Sequence, residues 1–220
     1  MRERERERES NLKITKTLLK ENGDFRSQEC IELLEQSDIV VTNPPFSLFR
    51  EYVAQLIEYN KNFLIIGNKN SISYKEIFKL IKNNLIWLGF TSANEFFVNS
   101  SMNKKTKKVN GLTRWFTNLD HKKRHEDLIL WTTYKNNKEK YPKYDNYDAI
   151  NIDKVSEIPL DYIGEMGVPI TFLDKYNPNQ FEIVGQMTTT KKDEYNHGYP
   201  YINGKKKFAR IIIKNKKVGE

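Results

Sequence analysis

Ser37-Asp38-Ile39-Val40-Val41-Thr42-Asn43-Pro44-Pro45-Phe46 is the stretch on which the fold reading turns. Ile39 to Thr42 is a short, mostly β-branched run, and it reads as a buried strand. Pro44 and Pro45 end that strand, because neither donates a backbone N–H and both fix φ near about −65°. Asn43 and Phe46 are thereby held just beyond the carboxyl end of a strand, where open α/β sheets bind their ligands. Downstream, Phe49, Val53, Leu56 and Ile57 recur at amphipathic helical spacing. Upstream, Gln28 to Gln36 reads as a helix leading into the strand.

Working outward, Asn62 to Gly67 reads as a second buried strand. Ser73 to Asn83 reads as an amphipathic helix with Tyr74, Ile77, Phe78 and Ile81 on one face, and Leu85 to Phe90 as a third strand. This alternation predicts an α/β fold built on a parallel sheet. Glu126 to Tyr134 alternates enough to be an outer strand paired with Arg114 to Asn118. Tyr141 to Asp161 reads as a long irregular connection, and Phe181 to Gly185 as a short strand. Tyr199 to Lys214 reads as a hairpin turning at Asn203-Gly204, with Phe208 to Ile213 as its return strand.

The chemistry that Asn43-Pro44-Pro45-Phe46 suits is capture of a planar exocyclic amine. The Asn43 side-chain oxygen and the Pro44 carbonyl are two acceptors that can converge on one NH₂, with Pro45 stiffening the loop. Phe46 offers a face for an extruded base, which enzymes acting on bases require. An amine held this way can be aimed at an electrophilic methyl group, which is catalysis by positioning. Taken alone, the tetrapeptide also reads as a Pro-Pro turn with an Asx cap.

Composition narrows the setting. The 220 residues carry 37 Lys and Arg against 29 Asp and Glu, a net charge of +8 that favours a polyanionic partner. The apolar share is 38%, with 12 Phe, 12 Tyr and 3 Trp to build a core. Cys30 is the single cysteine, which excludes a disulfide framework and a four-cysteine zinc site. Its helical setting reads as buried filler in a reducing compartment. No apolar run approaches the roughly 18 residues needed to span a bilayer, so a cytoplasmic protein without a membrane partner is expected. His121, His125 and His197 lack metal-ligand spacing and read as surface histidines, with no metal expected. Basic residues concentrate at Lys104, Lys105, Lys107, Lys108 and Arg114, and again at Lys205, Lys206 and Lys207. Such cations suit phosphate contacts, which set register without reading sequence. A solvated lysine loop at the first cluster and a protected sheet edge at the second are equally open readings.

Asn43-Pro44-Pro45-Phe46 resembles the (D/N/S)-P-P-(Y/F/W) motif of amino-methyltransferases that use S-adenosylmethionine. The likeness extends through Gly23-Asp24-Phe25-Arg26-Ser27, Phe63-Leu64-Ile65-Ile66-Gly67-Asn68-Lys69-Asn70, Arg114-Trp115-Phe116-Thr117-Asn118-Leu119 and Met166-Gly167-Val168-Pro169 to Pro178. Together these segments resemble the adenine-specific DNA methyltransferases of the EcoRI modification type, from about Gly23 onward. The resemblance implies a partial, Rossmann-like methyltransferase sheet with a basic, β-rich carboxyl-terminal region. It implies methyl transfer from S-adenosylmethionine to N6 of an adenine flipped from double-stranded DNA, beside a restriction endonuclease. Asn43, Pro44, Pro45 and Phe46 would be catalytic. Asp24 would accept from the cofactor's adenine amine, and Phe25 would pack on its ring.

The likeness has a gap. Such an enzyme carries a glycine-rich turn upstream of the Asp24 position, and this chain has no G-x-G anywhere. The expected organisation is a charged extension over 1–22, a catalytic half over 23–135, and an irregular connection with a DNA-facing hairpin over 136–220, the cofactor half being truncated at the amino terminus. Two alternatives stay open. One is a non-catalytic DNA-binding remnant, and the other is an Asn-Pro-Pro enzyme acting on RNA or on protein glutamine.

Overall fold

A computed structural model describes residues 18–20, 22–92, 95–98, 105–108 and 111–218, with backbone alone at 95–98 and 105–108. Most of the charged extension expected over 1–22, and Lys104, lie outside the described residues. The chain divides into two compact units, Met1–Ser37 and Asp38–Glu220.

In the first unit, helix α1 (Gln28–Gln36) starts where Ser27 caps it, its Oγ accepting from the Cys30 N–H at 3.3 Å. Ser37 closes the other end, its Oγ donating to the Leu34 carbonyl at 2.7 Å. No residue of α1 is buried, so Cys30, expected as buried filler, is half-buried instead.

The second unit opens with β1 (Ile39–Thr42), followed by α2 (Phe49–Glu58) and β2 (Asn62–Asn68). β1 and β2 are parallel, with Thr42 opposite Ile65, so β1-α2-β2 is a crossover unit. Phe49, Val53 and Leu56 form the buried stripe of α2. Helix α3 (Lys75–Lys82) buries Ile77, Phe78 and Ile81, whereas Tyr74 caps it from the exposed side. β3 (Trp87–Leu88) follows, then a hairpin of β4 (Glu95–Val98) with β5 (Lys105–Lys108), then β6 (Thr113–Thr117).

The sheet is not purely parallel, which corrects the expectation. β6 returns antiparallel and inserts between β2 and β3, giving the order β1-β2-β6-β3. β3 therefore runs in the same direction as β1 and β2 without touching β2. Nor is β1 buried: it lies at the sheet edge, with Ile39 and Val41 49% and 64% exposed.

Glu126 to Tyr134 is not the outer strand expected, because β6 already has a neighbour on each side. Side-chain amides hold that segment instead. Gln180 accepts from the Leu128 N–H at 2.6 Å and donates to the Leu128 carbonyl at 2.8 Å. Only Thr132 makes a ladder contact, an isolated bridge to Pro159.

A second sheet is formed by β7 (Ile150–Asn151), β8 (Met166–Pro169), β9 (Phe181–Met187) and a last strand. Before that strand comes the small hairpin of β10 (Tyr201–Ile202) and β11 (Lys205–Lys206), then β12 (Arg210–Asn215). Asn203 and Gly204 carry φ of 49° and 71°, as a tight two-residue hairpin turn requires. The return strand corrects the sequence reading, since β12 leaves the hairpin and runs between β8 and β9. Ile211, Ile212 and Ile213 are all fully buried, so this run without alternation suits a central strand covered on both faces. The Tyr141 to Asp161 connection is irregular as expected, yet it buries Tyr141, Tyr144, Ala149, Ile150, Ile152 and Ile158. Lys82 Nζ, donating to the Ile183 carbonyl at 3.0 Å, and Gln186, donating to the Ser73 carbonyl at 3.2 Å, tie α3 and the turn before it to β9.

Candidate active site

The loop leaving β1 is built from one anchor, two exposed functional groups and a stiff turn. Pro44 is buried, while Asn43 and Pro45 are exposed and Phe46 is 41% exposed. Pro45, at φ −56° and ψ 125°, leads into a short 3₁₀ turn over Phe46–Leu48 that closes with the Leu48 N–H donating to the Pro45 carbonyl at 3.0 Å. Neither that turn nor α2 takes a side-chain cap. The Asx-cap reading of Asn43 therefore fails. Its amide is presented to solvent with no hydrogen bond among the described residues.

Phe49 fixes where this loop sits. Its ring is fully buried and meets Phe116 of β6 edge-on, with centroids 5.0 Å apart. Both rings lie over Gly67 of β2: a Cβ there would come within 2.6 Å of Phe49 and 2.8 Å of Phe116. The glycine makes room for the ring that begins α2, so the loop is held against the sheet from its helix side. Sequence reasoning assigned Gly67 and Phe116 no role. The available signal was a lone glycine inside an apolar strand, which marks a close approach.

Asp24 and Phe25 belong to the first unit. Asp24 Oδ1 accepts from the Arg26 backbone N–H and Nε, both at 2.9 Å, and Oδ2 accepts from Arg26 Nη2 at 2.7 Å. The Arg26 guanidinium thereby lowers the Asp24 carboxyl to about 2. Asp24 is an ionised acceptor with room left on Oδ2, which fits an amine at the adenine end of S-adenosylmethionine. Phe25 is half-buried and carries the Arg26 guanidinium 5.4 Å from its ring centroid. The described residues show no glycine cradle for the methionine end, so the fit extends to the adenine end alone.

The basic residues separate into three settings. Lys105, Lys107 and Lys108 lie on β5, where the backbone is described. Arg114 is only 12% exposed in its side chain, donates to the Thr113 carbonyl at 3.0 Å and pairs with Asp174 at 3.5 Å. It sits in the sheet interior with an anionic partner already at hand. Lys205, Lys206 and Lys207 are all exposed on the small hairpin. The described residues hold no cluster of three or more His, Cys, Asp or Glu that would seat a metal ion. They also hold no helix long and apolar enough to cross a membrane. His197, read as a surface residue, stacks on Tyr147 at 4.1 Å with its Nε2 buried and without a hydrogen-bond partner among the described residues. Burial lowers its pKa.

The profile of the family described as "Adenine-specific methyltransferase EcoRI" matches residues 2–216. Among curated proteins, the chain is 51% identical over 213 residues to Type II methyltransferase M.EcoRI of Escherichia coli, covering 90% of this chain and 63% of that protein. It is 44% identical over 235 residues to Type II methyltransferase M.MgeORF184P of Mycoplasma genitalium, covering 94% of this chain and 73% of that protein. Type II methyltransferase M.MpnI of Mycoplasma pneumoniae is 40% identical over 222 residues, covering 89% and 69% respectively. No solved structure matches significantly.

Proposed function

The chain belongs to the adenine-specific methyltransferase EcoRI family, and on that premise we propose that it carries the catalytic loop of a DNA adenine-N6 methyltransferase. The observation that carries this reading is the uncapped, solvent-facing Asn43 amide beside a buried Pro44 and a half-open Phe46 ring. A merely structural Asn-Pro-Pro turn would have used that amide as a cap.

In this reading an adenine is extruded from duplex DNA and its ring rests on Phe46. The Asn43 side-chain carbonyl and the Pro44 backbone carbonyl each accept one N6 hydrogen, which turns the nitrogen lone pair outward. S-adenosylmethionine, when bound, supplies the electrophilic methyl group. Asp24 would accept from the cofactor's adenine amine, and Phe25 would pack beside that ring. The nitrogen would take the methyl as the donor's sulfonium carbon–sulfur bond breaks and a neutral thioether leaves, and would then lose a proton to water, so no general base is required. Positioning supplies the rate. Double-stranded DNA is the proposed substrate, a Rossmann-like half-sheet the proposed frame, and a restriction-modification system the proposed setting.

The test is Asn43→Ala in the full chain, assayed for transfer of labelled methyl from S-adenosylmethionine to duplex DNA. Loss of transfer with an unchanged melting temperature supports the assignment, and retained transfer sinks it. Transfer to RNA or to protein glutamine in place of DNA would move the chain to the other Asn-Pro-Pro chemistry. Cofactor binding by calorimetry, with Asp24→Ala alongside, tests the adenine-end site separately from catalysis.

A further inference from the structure

The hairpin spanning Tyr199 to Phe208 is held far more firmly than its two-residue strands would manage alone. Asp145 grips the turn: its carboxylate accepts from the Asn203 N–H at 2.9 Å and from the Gly204 N–H at 2.8 Å. Asn146 grips the incoming strand, donating to the Tyr199 carbonyl at 3.0 Å and accepting from the Tyr201 N–H at 3.3 Å. The Lys207 N–H closes the base by donating to the Pro200 carbonyl at 2.8 Å.

Below the base, the buried Arg210 guanidinium donates from Nη1 to the Phe208 carbonyl at 3.1 Å and to the Ala209 carbonyl at 3.3 Å. Its Nε is itself held by Asn151 at 3.2 Å, and Nη2 pairs with Asp153 at 3.4 Å. The backbone of Phe208 is thus fixed to the central strand of the second sheet. Its ring is 86% exposed.

A lone exposed aromatic is ordinary on a protein surface. This one differs in two respects. Its backbone is clamped by a buried arginine, and three exposed lysines, Lys205, Lys206 and Lys207, lead directly to it. Lys206 Nζ lies 3.2 Å from the Tyr199 ring centroid, so one of these cations is already seated on an aromatic face. A rigid aromatic flanked by cations matches what nucleic acid offers, a π-face beside phosphates.

We propose that this hairpin is a stacking wedge for DNA, with Phe208 lying against a nucleobase face while Lys205 and Lys207 hold the flanking phosphates. The inference rests on DNA being the substrate and assigns Phe208, which neither the motif nor the lysine pattern singled out. Lysine contacts contribute salt-dependent, sequence-independent affinity, and a stacking contact contributes affinity that salt leaves alone. The two components are separable by experiment.

The full chain, Phe208→Ala and the Lys205→Ala/Lys207→Ala pair would be titrated with an AT-rich duplex oligonucleotide over a series of salt concentrations. Phe208→Ala should weaken binding by about tenfold with the salt slope unchanged, as loss of one base-stacking contact predicts. The lysine pair should reduce the slope of log K against log salt by about two. Phe208→Trp should retain affinity and show emission quenched by DNA beyond that of the native tryptophans. Binding by Phe208→Ala within about twofold of the parent overturns the wedge, whatever the methyltransferase assay shows. A parent chain that methylates DNA while Phe208→Ala binds normally leaves the catalytic reading standing and removes only the wedge. A parent chain with no DNA binding removes both. Self-association of the parent that Phe208→Ala abolishes would reassign the ring to a second copy and likewise overturn the proposal.

Discussion

The two four-stranded sheets of the second unit are built in opposite ways. In the first, the candidate catalytic loop leaves an edge strand with a half-exposed apolar face; in the second, the middle strand β12 is buried along Ile211 to Ile213 and carries no candidate catalytic group. The candidate loop thus leaves a thinly covered edge, while β12 runs through the middle of its sheet. The loop keeps its shape by two local devices, the buried Pro44 and the Phe49 ring lodged over Gly67, and not by burial of its strand.

The largest effect that would break this contrast is at Phe49. Phe49→Ala removes a fully buried ring from the packing with Phe116 and should destabilise by about 3–5 kcal/mol. It should also lower kcat at temperatures where the fold persists, since the start of α2 positions Phe46. Ile212→Ala should cost about 2–5 kcal/mol of stability, with kcat per folded molecule unchanged. Chemical denaturation together with turnover measured well below the melting temperature separates the two. Equal loss of kcat in both variants would erase the distinction between the sheets.

Gly67→Ala sharpens the same point with a smaller perturbation. Its new Cβ meets ring atoms of Phe49 and Phe116 inside van der Waals distance, and overpacking of this kind costs about 1–3 kcal/mol. The rings must shift, and the loop with them. A kcat loss larger than the stability loss would identify Gly67 as a positioning residue. A stability loss with normal kcat and KM would make it packing alone.

Legibility followed the range of the signal. α1 and β1 start and stop where their sequence signals place them, because Ser27 caps the helix and Pro44-Pro45 ends the strand within a few residues. The insertion of β6 between β2 and β3 was not legible, since nothing in Thr113 to Thr117 names its neighbours. Glu126 to Tyr134 misled because its apolar alternation is real, yet Ile129 and Trp131 point to solvent. Its Leu128 N–H and carbonyl are satisfied by Gln180, about fifty residues downstream, and its Tyr134 N–H by Asp161. For the candidate site, the four motif residues are contiguous and so were readable together as a candidate loop. The Phe49–Gly67–Phe116 pin was not, because it joins three elements through space.

The smallest effect concerns pH and lies in the second sheet. His197 packs against Gly185 of β9 and stacks on Tyr147, with Nε2 buried and unpartnered among the described residues. Its pKa is lowered first by burial and also by Lys192, while Glu165 and Asp193 oppose the shift. The sign follows from linkage. Above the ordinary histidine value of about 6.5, both folded and unfolded chains hold the ring neutral, and the fold has its full stability. As pH falls below that value, the unfolded chain gains a proton that the folded chain resists, so stability declines. Carboxylates with lowered values, Asp24, Asp120 and Asp161, act only at more acid pH, so they do not mask this window. Denaturation at about pH 7.5 and about pH 5.5 should show the loss in the parent and a flatter profile in His197→Gln. A parent profile as flat as the variant's would mean that the ring takes its proton without penalty. The second sheet would then be less tightly closed around Tyr147 and Gly185 than its packing indicates.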